Sequence, residues 1–166
     1  MEDKFSSEMK ERSRGNYQRF LTFYLDDEIY GVAISDVKEI IAFMKTTKIP
    51  KMPKYFKGVM NLRGIIIPVI DMRLKFGLEE SQYTMHTAII IIQISGVSVG
   101  FIVDRVEEVL PINKEDITDP PSFGSKVDND YIKKMAKSGE DVVMILNLEE
   151  LLTQHELDKL ENASII

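Results

Sequence analysis

A chain of 166 residues with 44% hydrophobic and 29% charged content has the balance of one globular domain, or of two small ones sharing a core, and excludes wholesale disorder. The absence of cysteine excludes disulfides, thiolate nucleophiles and thiolate-bound zinc together, and fits a reducing cytosol. The net charge of −6 is uneven: Lys45, Lys48, Lys51, Lys54, Lys57 and Arg63 stand in an acid-free stretch from Lys45 to Ile70, leaving the rest of the chain at −12.

Residues 1–16 carry four acids and four bases without periodicity, and predict a flexible tail with no apolar stretch of signal-peptide type. Phe20, Thr22 and Tyr24 then alternate with Leu21, Phe23 and Leu25, a strand with one face buried and the other half-covered. Asp26-Asp27-Glu28 turns the chain into a second strand, Ile29–Ile34. Ser35 is placed to N-cap a short helix, Asp36–Ile41. Pro50 and Pro53 mark a loop. Val59–Met60 and Ile65–Ile70 read as strands around a turn at Asn61-Leu62-Arg63-Gly64, and Pro68 implies an edge strand or a bulge. Thr87–Ile94 and Val97–Val103 form another hairpin, turning at Ser95-Gly96. Residues 114–139 read as loop with one helix near Tyr131–Ala136. Beyond the strand Val142–Leu146, Leu148, Leu151 and Leu152 form a helical stripe that Leu157 and Leu160 continue imperfectly, the packing face of a terminal helix.

The pattern repeats. Gly31 to Ile41 aligns with Gly100 to Leu110 at an offset of 69, with Gly31/Gly100, Val37/Val106 and Glu39/Glu108 identical. Val69 to Leu74 aligns with Ile145 to Glu150 at an offset of 76. Each unit reads as two strands, a one-turn helix or bend, then a strand entering a short helix. Two related units, about 18–80 and 85–153, predict a pair of small barrels.

Candidate chemistry is sparse. Gly96-Val97-Ser98-Val99-Gly100 fits a nucleophile elbow, with Asp104 and His155 as conceivable partners, but Ser98 lies inside a β-branched run where a strained strand-to-helix turn is required. His86 and His155 are too few and too isolated for a metal site and read as surface residues. No phosphate-binding glycine motif occurs, and no cofactor is expected. The basic stretch reads either as solvated loop or as a patch facing an acidic protein surface. A nucleic-acid-binding barrel would use Lys45–Lys57 with Phe43, Tyr55 and Phe56 as stacking platforms, but the acidic pI of about 5.0 opposes it.

The stretch Phe23 to Ile40, Ile49-Pro50, Phe56 to Arg73, Val99 to Val106 and Met144 to Leu152 together resemble CheW-like domains, most specifically around Asn61-Leu62-Arg63-Gly64. The resemblance covers about 18–153. It implies a mainly β fold of two SH3-like five-stranded barrel subdomains with short helices: a domain at 17–153, with a tail before it and a C-terminal helix or tail at 154–166. It implies a cytoplasmic, non-enzymatic adaptor that couples the cytoplasmic tip of methyl-accepting chemoreceptors to the regulatory domain of the histidine kinase CheA. Such an adaptor contacts no nucleic acid, and reaches the membrane only through the receptors. It further implies partner-binding or surface-shaping roles for Ile34, Val37, Glu39, Lys57, Gly58, Asn61 and Arg63. The physical alternatives are turn geometry for Gly58, core packing for Val37, and a mutual ion pair for Glu39 and Arg63. Residues 114–139 match the family only loosely and receive no role.

Overall fold

The computed structural model describes residues 16–121 and 129–164; the N-terminal tail expected at 1–16 lies outside them except for Asn16. The chain begins with a hairpin of β1 (Tyr17–Leu25) and β2 (Glu28–Ala33), turned at Asp26, whose φ of 54° is tolerated better by Asp than by most residues. A single 3-10 turn at Ile34–Asp36 leads into β3 (Val37–Ala42). The long loop that follows enters the hairpin of β4 (Phe56–Leu62) and β5 (Ile65–Asp71), and Asp71 caps the short helix α1 (Met72–Lys75) by accepting from the Arg73 and Leu74 amides. After an irregular segment come β6 (Ala88–Ile94), β7 (Val97–Val103), β8 (Arg105–Asn113) and the two-residue β9 (Ile117–Thr118). The last elements are β10 (Ile132–Ser138), β11 (Asp141–Leu146), α2 (Leu148–Leu151) and α3 (Gln154–Ser164).

Hydrogen bonding sorts the strands into two sheets, ordered β8-β1-β2-β11-β10-β9 and β3-β6-β7-β5-β4. The two sheets share one plan. At the offsets of 69 and 76, β2 corresponds to β7, β3 to β8, β4 to β10, β5 to β11 and α1 to α2. The corresponding parallel contacts are Gly31 with Ile145 and Gly100 with Val69. Each sheet therefore joins the opening hairpin of one repeat to the closing strands of the other. The loop after β3 bridges back to β4 through Thr47 and Val59, and β9 bridges to β10, so each sheet curls into a small barrel.

This plan explains the unbroken run Ile89–Ile92. Ile90 and Ile92 face a central core with Leu21, Phe23, Ile70, Phe101, Leu151 and Leu157, while Ile89 and Ile91 fill the second barrel with Met60, Ile67 and Val69. A strand covered on both faces has no polar alternation to show. β1 behaves alike: Phe20 lines the first barrel with Ile112 and Val143, and Thr22 is fully buried, its hydroxyl donating to the Glu108 carbonyl at 2.8 Å. The face expected to be half-covered is buried at Phe20 and Thr22 and partly exposed at Tyr24.

Several expectations need correction. Asp36–Ile41 is not a helix capped by Ser35. The 3-10 turn has Ala33 at its N-cap with no side-chain bond, and the β-branched Val37, Ile40 and Ile41 extend along β6 instead. Tyr131–Ala136 is not a helix either; Ile132 onward pairs with β11, with Ala136 turned into the first barrel. The segment read as loop from 114 also contains β9, and residues 122–128 of it lie outside the described residues. Pro68 sits on an inner strand, tolerated because pairing to β7 begins only at Val69, while a bulge between Phe56 and Gly58 lies on its other neighbour. The C-terminal stripe is two helices, broken where Leu152 turns extended, which accounts for its imperfect period.

Candidate functional site

β4 carries most of the expected site residues and separates them into two ends. Six residues at about 3.3 Å each put Lys57 and Arg63 about 20 Å apart along the strand. At the far end the β4–β5 turn holds Arg63 at a φ of 51°, and the Asn61 side chain fixes that turn by accepting from the Gly64 amide at 2.7 Å. The guanidinium reaches across to β3 and grips Glu39 with two bonds, Nη1 to Oε1 at 3.0 Å and Nη2 to Oε2 at 2.5 Å. The Arg63 hydrogen bond holds the Glu39 carboxyl below its ordinary range. This planar fork is solvent-facing, and Ile65, which opens the strand after the turn, is 64% exposed. Ile34 and Val37 are half-buried and pack against the central core.

Lys57 and Gly58 lie at the other end. Gly58 has a φ of 124°, and Thr47 of the preceding loop crosses directly over it, exchanging bonds with Val59 at 2.8 and 2.9 Å. Thr46 adds a bond to the Lys57 carbonyl at 2.9 Å. Gly58 is thus a steric necessity of the crossing. Lys57 turns outward to pair with Glu80, a residue that no motif in the sequence marked. Lys48, Lys51 and Lys54 line the same open depression of about 690 Å3. The bond from Lys57 is the main cause that holds Glu80 below its ordinary carboxyl range.

A second group missed from sequence joins the two barrels. Tyr55 and Tyr131 correspond at the offset of 76, and their carbonyls accept equivalent bonds from Asp71 and Asn147, each at 2.8 Å. Between their rings lies the almost buried Lys75, its Nζ 4.4 Å from the Tyr55 centroid and 5.6 Å from that of Tyr131. Glu156 completes the cage, bonding Lys75 at 2.9 Å and the Tyr55 hydroxyl, and forms a capping box with Thr153 at the start of α3. Burial works against ionised Glu156, but the bonds from Tyr55 and Lys75 outweigh it and hold its pKa low. The only advance signal was the spacing of the tyrosines.

The arrangement offers little for catalysis. Ser98 lies in β7 and accepts from Lys38 Nζ at 3.2 Å; Asp104 is held by Arg73 at 2.7 Å and by the Asp26 amide at 2.8 Å; His155 is exposed on α3. No group of three metal-ligating side chains occurs among the described residues, and no described helix is long and apolar enough to cross a membrane. The aromatic platform is absent as well: Tyr55 is covered by Lys75, Phe56 is buried, and Phe43 packs on Tyr83 with centroids 4.3 Å apart.

Two interlocked small barrels presenting charged, rigidly mounted surfaces define a protein-binding module. The family model of the CheW-like domain matches residues 19–156. The chain is 35% identical to the chemotaxis protein CheW of Klebsiella aerogenes over 147 residues, covering 89% of each chain. It is 33% identical to that of Helicobacter pylori, covering 86% of this chain and 90% of the relative. Among solved structures, the scaffolding protein TtCheW of Thermoanaerobacter tengcongensis is similar with a TM-score of 0.78 and 35% identity, over 85% of this chain and 97% of that one. The chain belongs to the CheW-like family of chemotaxis scaffold proteins, which are adaptors and not enzymes.

Proposed function

We propose that this adaptor is bivalent, holding the cytoplasmic tip of a chemoreceptor and the regulatory domain of the histidine kinase CheA on different surfaces at once. The protein then works in the cytoplasm and joins membrane-associated arrays only through its receptors. The observation that carries this reading is the duplicated two-barrel frame, which presents the exposed Arg63–Glu39 pair at one end of β4 and the basic Lys57 end about 20 Å away, with no catalytic constellation among the described residues. Glu39, Asn61 and Arg63 supply contacts, Ile34 and Val37 shape their support, and Lys57 and Gly58 belong to the separate basic end. The domain we assign spans 17–153, with repeat units near 18–80 and 85–153, and α3 packs onto it through Leu157 and Leu160.

Receptor-bearing membranes and purified kinase regulatory domain, mixed with the protein singly and together, test the proposal. A ternary complex is expected in which each partner binds without expelling the other. Mutual exclusion of the two partners on the wild-type protein would overturn bivalence.

A further inference from the structure

Lysine recurs at every third position through the loop between β3 and β4, at Lys45, Lys48, Lys51, Lys54 and Lys57, with Pro50 and Pro53 interleaved. The loop is rigidly based: Thr46 and Thr47 bond to β4, the Phe56 amide bonds to the Pro53 carbonyl at 3.0 Å, and Ile49 and Met52 pack against the central core. Lys51 follows Pro50 in the turn with a φ of 64°, a conformation that costs a non-glycine residue strain.

This rigid arch already holds a carboxylate. Glu80 bonds Lys57 and feels Lys48 and Lys54 through space, although its own side chain is 59% exposed. Its irregular segment, 78–86, is held near the arch by Arg73 Nε donating to the Glu79 carbonyl at 2.8 Å, and by Tyr83 donating to the buried Asp71 at 2.9 Å. Apolar Ile49, Met52, Phe56 and Leu78 also line the depression.

We infer that the cradle of Lys48, Lys51, Lys54 and Lys57 is a docking site for an acidic, partly apolar segment of a partner protein, and that Glu80 is a resident carboxylate which that segment displaces. Converging lysines around an exposed, exchangeable carboxylate fit a second carboxylate, and the apolar lining fits the side chains between acids. A nucleic acid is disfavoured because the nearby aromatic rings are all engaged and the rest of the chain is acidic. The inference rests on the adaptor reading only for whose segment docks.

The test is the anisotropy of a short fluorescein-labelled peptide of glutamates and leucines, titrated with the intact protein. Binding should weaken as salt rises. Glu80→Gln removes the internal competitor and should tighten binding about two- to fivefold, the worth of one exposed ion pair. Lys48→Ala with Lys54→Ala should weaken it about tenfold, with melting unchanged. Lys51→Gly, which relieves the positive φ, should melt no lower than the wild type and still bind the peptide more weakly. Unchanged or weaker binding by Glu80→Gln overturns the inference, as does a single-stranded oligonucleotide of equal charge that binds more tightly through the same lysines. The peptide reads the cradle alone, so its failure would leave ternary-complex formation with receptor and kinase standing.

Discussion

Replacing Gly58 by Ala separates a structural from a contact role at the position where the family resemblance left both open. A Cβ on Gly58 would stand 2.0 Å from the Thr47 carbonyl oxygen and 2.6 Å from its carbon, both backbone atoms. The chain has no flexible side chain there to move aside, so Thr47 must lift away from β4. Its two bonds with Val59 are then lost, at about 1 kcal/mol each. The φ of 124° adds strain of order 1–3 kcal/mol for an alanine. The sum, about 3–5 kcal/mol, is a large share of the roughly 5–15 kcal/mol that holds a domain folded. For a chain of this size it corresponds to a melting point lower by roughly 10 °C. Circular dichroism on heating measures it, with Gly64→Ala as the control. At Gly64 a Cβ meets nothing within 4 Å, so only the conformational strain of its φ of 87° remains. A Gly58→Ala protein that melts within about 2 °C of wild type yet loses a partner would refute the reasoning, because the shift expected at this chain size is several times larger.

Other outcomes follow from the same geometry. Arg63→Ala and Arg63→Lys should leave the melting temperature nearly unchanged, since the pair with Glu39 is solvent-exposed, while weakening one partner far more than the other; equal loss of both partners with a lower melting point would make the pair structural. Because the folded pKa of Glu156 lies below its ordinary 4.5, its stabilisation is present above that value and fades as pH falls through the lower one. Glu156→Gln should therefore destabilise at neutral pH and flatten the acid limb of a melting-temperature profile, and an unchanged limb would remove Glu156 from the joint. Leu157→Ala, at a side chain only 2% exposed, should cost about 2–5 kcal/mol in urea unfolding, and a loss below about 1 kcal/mol would mean that α3 is not integral to the core.

Most strands were legible in the sequence because their residues obey local rules. β-branched and aromatic runs ended by Asp26-Asp27, Arg63-Gly64 and Ser95-Gly96 announced their own hairpins, and Ser98 could be dismissed as a nucleophile from the strand around it alone. The misread segments have weaker local preferences. Asp36–Ile41 follows a capping serine, Ser35, that suits a short helix, and from Val37 it becomes a strand because β6 offers it a pairing edge. Tyr131–Ala136 likewise follows β11 and not its own propensity. The site divided in the same way: Arg63 and Glu39 were marked by motif and named as a possible pair, whereas Glu80 and Lys75 carry no local signature.

The sequence by itself determined the repeat, the β character, the charge imbalance of the 45–70 stretch and the absence of thiol chemistry, since all four are properties of residue order and type. Tertiary structure decided which repeat's strands pair with which. It alone put Glu80 among the lysines, Thr47 over Gly58, and Lys75 between tyrosines 76 positions apart. The physical reason is range. Backbone propensities and turn chemistry act over a few residues, whereas the two parallel contacts, Gly31 with Ile145 and Val69 with Gly100, join segments 114 and 31 positions apart, whose mutual burial gains nothing until those long loops have closed.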